Sequence, residues 1–123
     1  MAREPQHRGM QDKWGERILK NGWTGIPTIL LDSQATLKLT PLDMLVLVHL
    51  IRWWWIKDRW PFPELDRVAR SIGVDGAKVK VSIGKLRVQR LVRPLRLQSG
   101  RTAYDLTGLL DRLEEEVIAR LGN

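Results

Sequence analysis

The stretch ELDRVARSIGVDGAKVKVSIGKLRVQRLVRPLRLQSGRTAYDL, residues 64–106, decides how this chain is read. Leu65, Val68, Ala69 and Ile72 recur at i, i+3, i+4 and i+7, which puts one apolar stripe on a helix from Glu64 to Ile72. Gly73 follows, a residue that takes positive φ readily just past a helix end. Asp75 is then a natural N-cap for a second helix running to about Gln89. On that helix Val79, Ile83 and Leu86 share one face with Ser82 beside them, while Lys78, Lys80, Val81, Gly84 and Lys85 look elsewhere. Beyond it, Leu91 to Leu97 and Thr102 to Leu106 flank a Ser99-Gly100 turn, with apolar residues alternating with basic ones: a β-hairpin pattern.

The charge of the chain is concentrated in this stretch. The 123 residues carry 21 Lys+Arg and 14 Asp+Glu, a formal net charge of +7. Eight of the cations, Lys78, Lys80, Lys85, Arg87, Arg90, Arg93, Arg96 and Arg101, lie between Gly76 and Arg101, and no acidic residue does. Taking these eight from the 21 leaves 13 basic against 14 acidic groups elsewhere, a net of −1. A neutral body with one basic segment is the electrostatic footprint of a surface for a polyanion.

Upstream, residues 1–11 read as a flexible, weakly basic arm, and residues 12–123 as one domain of a size that builds a single core. Asp12 to Lys20 has the makings of a short helix stopped by Asn21-Gly22, and Thr28 opens a second one carrying Leu30, Leu31, Leu37 and Leu39. Thr40-Pro41-Leu42-Asp43 is the strongest helix start: a threonine N-cap, proline at the first helical position and a carboxylate at the third. The helix it opens, Leu42 to Lys57, is apolar nearly all round. It carries Asp43, His49 and Arg52 and is shorter than the roughly 20 residues a bilayer requires, so it is read as the central helix of the core, not as a membrane span. On such a helix Trp53, Trp54 and Trp55 cover about 200° of the circumference, so one of them points away from the core. An exposed indole there indicates a partner or an N-terminal segment packing on it. Arg59-Trp60-Pro61-Phe62-Pro63 is a rigid connector. Thr107 is read as the cap of a last helix, 108–121, with Leu109, Leu110, Leu113, Val117 and Leu121 as its apolar stripe.

Composition excludes several chemistries. Without cysteine there is no disulfide, thiolate metal site or thiol nucleophile, and the two isolated histidines, His7 and His49, give no metal site; no cofactor is expected. His49, among leucine and valine, is read as a partly buried core histidine. Glu114-Glu115-Glu116 point different ways round a helix, and no Gly-rich phosphate loop, HExxH or serine elbow is present. The expectation is a cytoplasmic protein that is not an enzyme.

Helix, glycine turn, helix and basic hairpin, in that order, make a winged helix-turn-helix. The chain resembles the bacterial and plasmid or phage winged helix-turn-helix proteins, which include helix-turn-helix regulators and replication-initiator-like domains. The matching residues are Thr40-Pro41-Leu42-Asp43, Arg52-Trp53-Trp54, Pro61-Phe62-Pro63, Val68 to Val74, then Val79, Ile83, Leu86, Leu91-Val92-Arg93 and Tyr104 to Leu109. The resemblance covers about residues 14–112 and departs at two places. The family usually has polar residues where this chain has Gly76-Ala77, and glycine where it has Arg90.

The fold expected is therefore mainly α with a small β-hairpin: a helix-turn-helix at about 64–90, a wing at 91–106, a C-terminal helix and an N-terminal helical extension. Double-stranded DNA is the expected partner. Lys78, Lys80 and Lys85 are assigned to the groove, with Val81 beside them and Gly84 and Ala77 permitting close approach. Arg87, Arg90, Arg93, Arg96 and Arg101 are assigned to phosphates. Lysines are point charges, so shape and phosphate readout outweigh base reading. The role implied is a transcriptional repressor or regulator acting as a homodimer through Trp53, Trp54, Leu109, Leu113 and Val117. A plasmid or phage replication-initiator or partition protein is the alternative within DNA binding. A protein-interaction module built on the tryptophan helices is the alternative from another class.

Overall fold

A computed structural model describes residues 6–122, in the order α1 (Gln6–Trp14), a short 3-10 turn (Ile18–Asn21), α2 (Thr28–Asp32), α3 (Pro41–Arg52), α4 (Leu65–Ile72), α5 (Gly76–Val88), β1 (Arg93–Arg96), β2 (Thr102–Asp105) and α6 (Thr107–Leu121). The strands pair antiparallel, Arg93 opposite Asp105 and Arg96 opposite Thr102. The chain is thus mainly helical with one small hairpin, as expected.

The core forms around α3. Val46, Leu47 and Leu50 are fully buried, and Leu30, Val68, Val79, Leu86 and Leu109 close over them from α2, α4, α5 and α6, with Leu106 just before α6. The start of α3 is a complete capping box: the Asp43 amide donates to Thr40 Oγ1 at 3.1 Å and the Thr40 amide to Asp43 Oδ2 at 3.0 Å. Gly73 takes φ +86 and turns the chain from α4 into α5, whose first turn is capped by Asp75. His49 is half-buried; burial, then the nearby Arg52, lower its pKa.

Several boundaries differ from the sequence reading. Residues 1–5 of the expected arm lie outside the described residues, whereas Gln6–Trp14 form α1, because Gln, Met and Lys favour a helix without an apolar stripe. The Thr28 helix stops at Asp32, and turns carry the chain to Leu37 and Leu39, both buried. The central helix ends at Arg52, not Lys57: Trp53 is its C-cap, and Trp54 and Trp55 lie beyond it. The tryptophans therefore do not wind round a helix. Thr107 is the first residue of α6 and not its cap; the Asp105 carboxylate accepts from the Thr107 amide at 2.8 Å and performs that service.

Two close approaches fix the wing. The Tyr104 amide donates to the Pro61 carbonyl at 2.9 Å, tying β2 to the α3–α4 connector. The Leu109 amide donates to the Leu91 carbonyl at 3.0 Å, so the first turn of α6 sits on the turn after α5. Gly108 makes that contact possible, since a Cβ there would stand 1.7 Å from the Arg90 carbonyl oxygen.

Candidate nucleic-acid interface

The helix α5 buries Val79, Ser82, Ile83 and Leu86 and turns the rest outward. At 100° per residue, Ala77, Val81, Gly84 and Val88 form the outermost ridge. Val81 and Val88 are 64% and 82% exposed. Lys80 and Arg87 flank the ridge on one side, Lys78 and Lys85 on the other, and all four are exposed. The outward face is therefore a smooth, small-residue spine between two cationic edges.

The cations do not share one environment. Lys85 Nζ lies 3.3 Å from Asp43 Oδ1, and the same oxygen accepts from Ser82 Oγ at 2.5 Å. Asp43 is 2% exposed. Burial alone would raise its pKa, but the hydrogen bonds from Ser82 and Thr40, with the Lys85 ammonium, more than offset that and hold it below the usual carboxylate value. Lys85 is thus partly engaged with α3, a role the sequence did not indicate, although Ser82 on an otherwise apolar face was the signal. Arg93 pairs with the buried Asp105 at 3.0 Å. Burial raises the Asp105 pKa, and the bonds from Thr107 and Arg93 outweigh it, so this carboxyl is lowered too. Lys78, Lys80, Arg87, Arg90 and Arg96 make no ion pair with any described residue.

Arg87, Arg90 and Arg93 line one cleft, of about 600 Å³, beside Thr107 and Gly108. Lys80 and Arg101 line another with Phe62 and Tyr104. Lys78 and Lys85 border a third, over Asp43. The single basic run of the sequence is divided in three dimensions among three clefts around α5 and the wing, with Glu64 and Asp66 beside Lys80 and Arg101 in one of them and Arg96 exposed on β1.

Arg90 occupies a special position. The Leu91 amide donates to Leu86 O at 3.0 Å and the Arg90 amide to Arg87 O at 2.9 Å, the paired bonds of a Schellman motif, whose left-handed residue is Arg90 at φ +61. Glycine is the usual residue there, so the departure noted in the sequence coincides with real backbone cost.

The residues assigned to a dimer contact are scattered. Leu109 and Leu113 are 2% and 6% exposed, packed into the protomer's own core, and so offer no surface to a partner. Their spacing marks the inward face of α6. Trp54 packs on Trp60 at 5.4 Å between centroids, and Trp53 is half-buried. Of the five, Val117 is exposed, on an edge of α6 with Leu110, Ile118 and Leu121.

One further cationic feature was missed. Arg59, Arg67 and Arg70 line a groove with Trp53, Trp55 and Phe62. Asp58 and Asp66 cancel these arginines in any count of local charge, which hid them. Among the described residues no cluster of His, Cys, Asp and Glu could hold a metal ion, and no helix is long and apolar enough to cross a membrane.

No protein-family model matches the sequence, and no curated protein matches it. Among solved structures, the chain is similar to the N-terminal domain of DnaD protein from Geobacillus kaustophilus HTA426, with a TM-score of 0.66 at 18% identity, covering 98% of this chain and 96% of that one. It is also similar to the YusO protein from Bacillus subtilis, with a TM-score of 0.52 at 17% identity, covering 95% and 77%. At these identities the likeness concerns the fold alone: a winged-helix-like arrangement of helices and hairpin.

Proposed function

We propose that this chain is a DNA-binding protein, not an enzyme, that docks α5 and its wing on duplex DNA and acts as a transcriptional regulator. The observation that carries the reading is the outward face of α5, where Lys78, Lys80 and Lys85 edge a spine of Ala77, Val81, Gly84 and Val88 beside a basic hairpin. A helix of this profile enters the major groove: the spine approaches the base edges, where Val81 and Ala77 suit thymine methyls, and the lysines neutralise phosphates. Arg96 and Arg101 on the wing, with Arg87 and Arg90 at the end of α5, extend the phosphate contacts. The spine carries no bidentate donor, so discrimination among sequences comes mainly from shape and phosphate geometry.

Dimerisation is assigned to the exposed edge of α6, Leu110, Val117, Ile118 and Leu121, in place of the buried Leu109 and Leu113. A two-fold pair of recognition helices would then meet half-sites about one DNA turn apart. The test is a fluorescence-polarisation titration of a labelled random duplex at several salt concentrations. Affinity that falls steeply with salt supports the reading; no binding, or binding indifferent to salt, overturns it. Sedimentation of wild type and Ile118→Glu tests the dimer, a monomeric wild type being the refuting result.

A further inference from the structure

The groove beside α4 is built differently from the α5 face and calls for a different ligand. Its floor and walls carry flat aromatic faces: Trp53, Trp55 and Phe62, with Trp55 78% and Phe62 45% exposed. The space is about 630 Å³, ample for a nucleobase with its sugar and phosphate. The Trp55 indole N–H donates to the Arg52 carbonyl at 2.8 Å and its ring lies tilted against Trp53 at 5.8 Å between centroids, which fixes the ring on that side while Trp55 as a whole stays largely exposed. Two guanidiniums lie over the Trp53 ring, Arg52 at 4.5 Å and Arg67 at 4.6 Å from its centroid, and Arg101 stands 5.7 Å over Phe62. Arg59 and Arg70 add two further cations. Glu64 is the one carboxylate in the lining, and its 3.9 Å pair with Arg101 is solvent-exposed and readily exchanged.

We propose that this groove binds an unpaired strand of nucleic acid, its bases stacking on Trp55, Phe62 and the Trp53–arginine stack and its phosphates meeting Arg59, Arg67, Arg70 and Arg101. Aromatic faces interleaved with cations are what a single strand requires, because every base has a π-face and every linkage a charge. An acidic peptide would satisfy the arginines but leave the exposed rings without use. The groove also adjoins the α5 surface: Phe62, Glu64 and Arg101 line both it and the cleft of Lys80, where Asp66 stands as well. The inference goes beyond the duplex reading and stands on the groove's own residues.

The test uses the full chain and a labelled oligothymidylate of about twelve nucleotides, with a labelled duplex and an oligoglutamate peptide measured alongside. The wild type is expected to bind the oligothymidylate. Trp55→Ala and Arg67→Glu are each expected to weaken that binding at least about fivefold while duplex affinity changes less than about twofold. Trp55→Phe, which retains a stacking face, is expected to keep most of it. Lys78→Glu, on the far flank of α5, should weaken duplex binding alone, so failure of either reading is seen separately. Absence of oligothymidylate binding, equal binding by the Trp55→Ala and Arg67→Glu variants, or tighter binding of oligoglutamate displaced by the same substitutions would overturn the proposal. Thermal melts of each variant guard against loss of fold, and Trp55, being exposed, should not shift them.

Discussion

The outer face of α5 and the groove beside α4 are both cationic surfaces, yet they are assembled by opposite means. The α5 face is one helix turned outward, and its lysines follow directly from helical period. The groove comes from a helix that ends early: α3 stops at Arg52, so Trp53 and Trp55 leave the helical path and meet arginines from α4 and from the wing. Its pieces lie as far apart in sequence as Trp53 and Arg101. A local surface is legible from spacing, whereas an assembled one depends on where elements stop. Both depend on the hairpin, which supplies Arg96 to one and Arg101 to both.

The strongest way to break the comparison is to remove that shared support. Gly108→Val would drive a side chain into the Arg90 carbonyl and lift α6 from the turn before β1. A loss of about 3 kcal/mol, or about 10 °C in melting temperature, is expected by circular dichroism, with both binding activities reduced together.

Charge reversal at neighbouring lysines separates binding from folding. Lys85→Glu places a second carboxylate against buried Asp43 and should cost about 2 kcal/mol, less than for a fully buried pair because Lys85 is half exposed. Lys80→Glu should leave the melt unchanged and lower both duplex affinity and the salt slope, the latter by about one unit. Denaturant titration with polarisation assays checks both; equal stability of the two variants would contradict the Asp43–Lys85 contact.

Acid should weaken the fold through the two buried carboxyls that support α5 and the wing. The carboxyls of Asp43 and Asp105 are lowered on folding, so the unfolded chain binds protons first. Their stabilisation is complete above the unfolded value of about 3.9 and is lost as pH falls through the lower folded values. His49, also lowered, adds a shallower decline beginning at about pH 6.5. Denaturation midpoints measured against pH should show both limbs, with Asp43→Asn weakening the acid one.

The smallest effect sharpens the picture most finely. Arg90→Gly relieves a left-handed arginine and should raise stability by about 0.5 kcal/mol, the steric relief being partly offset by glycine's chain entropy. Duplex affinity should fall modestly if that cation meets phosphate. A variant that is no more stable would show that Arg90 has packing value beyond its charge.

Much of this molecule was readable from its residues. The α4–α5 pair, the Asp75 cap, the inward set Val79, Ile83 and Leu86, and the hairpin follow from periodicity, capping and turn chemistry, all of which act within a few residues. The end of α3 was not readable, because tryptophan and isoleucine after Arg52 are compatible with continued helix and only the docking of the connector on β2, through Tyr104 and Pro61, draws the chain away. The sharing of the α6 stripe was not readable either: Leu109 and Leu110 are both leucine, and only contact with α2 and α3 decides which of them enters the core. The sequence by itself determined the helix-turn-helix, the wing and the basic segment, since these rest on short-range geometry. Tertiary structure alone decided that Lys85 is held by Asp43, that the basic run divides among three clefts, and that tryptophans and arginines distant in sequence face one another across a groove. Those outcomes depend on long-range packing, in which the partner of each side chain is set by how whole elements dock.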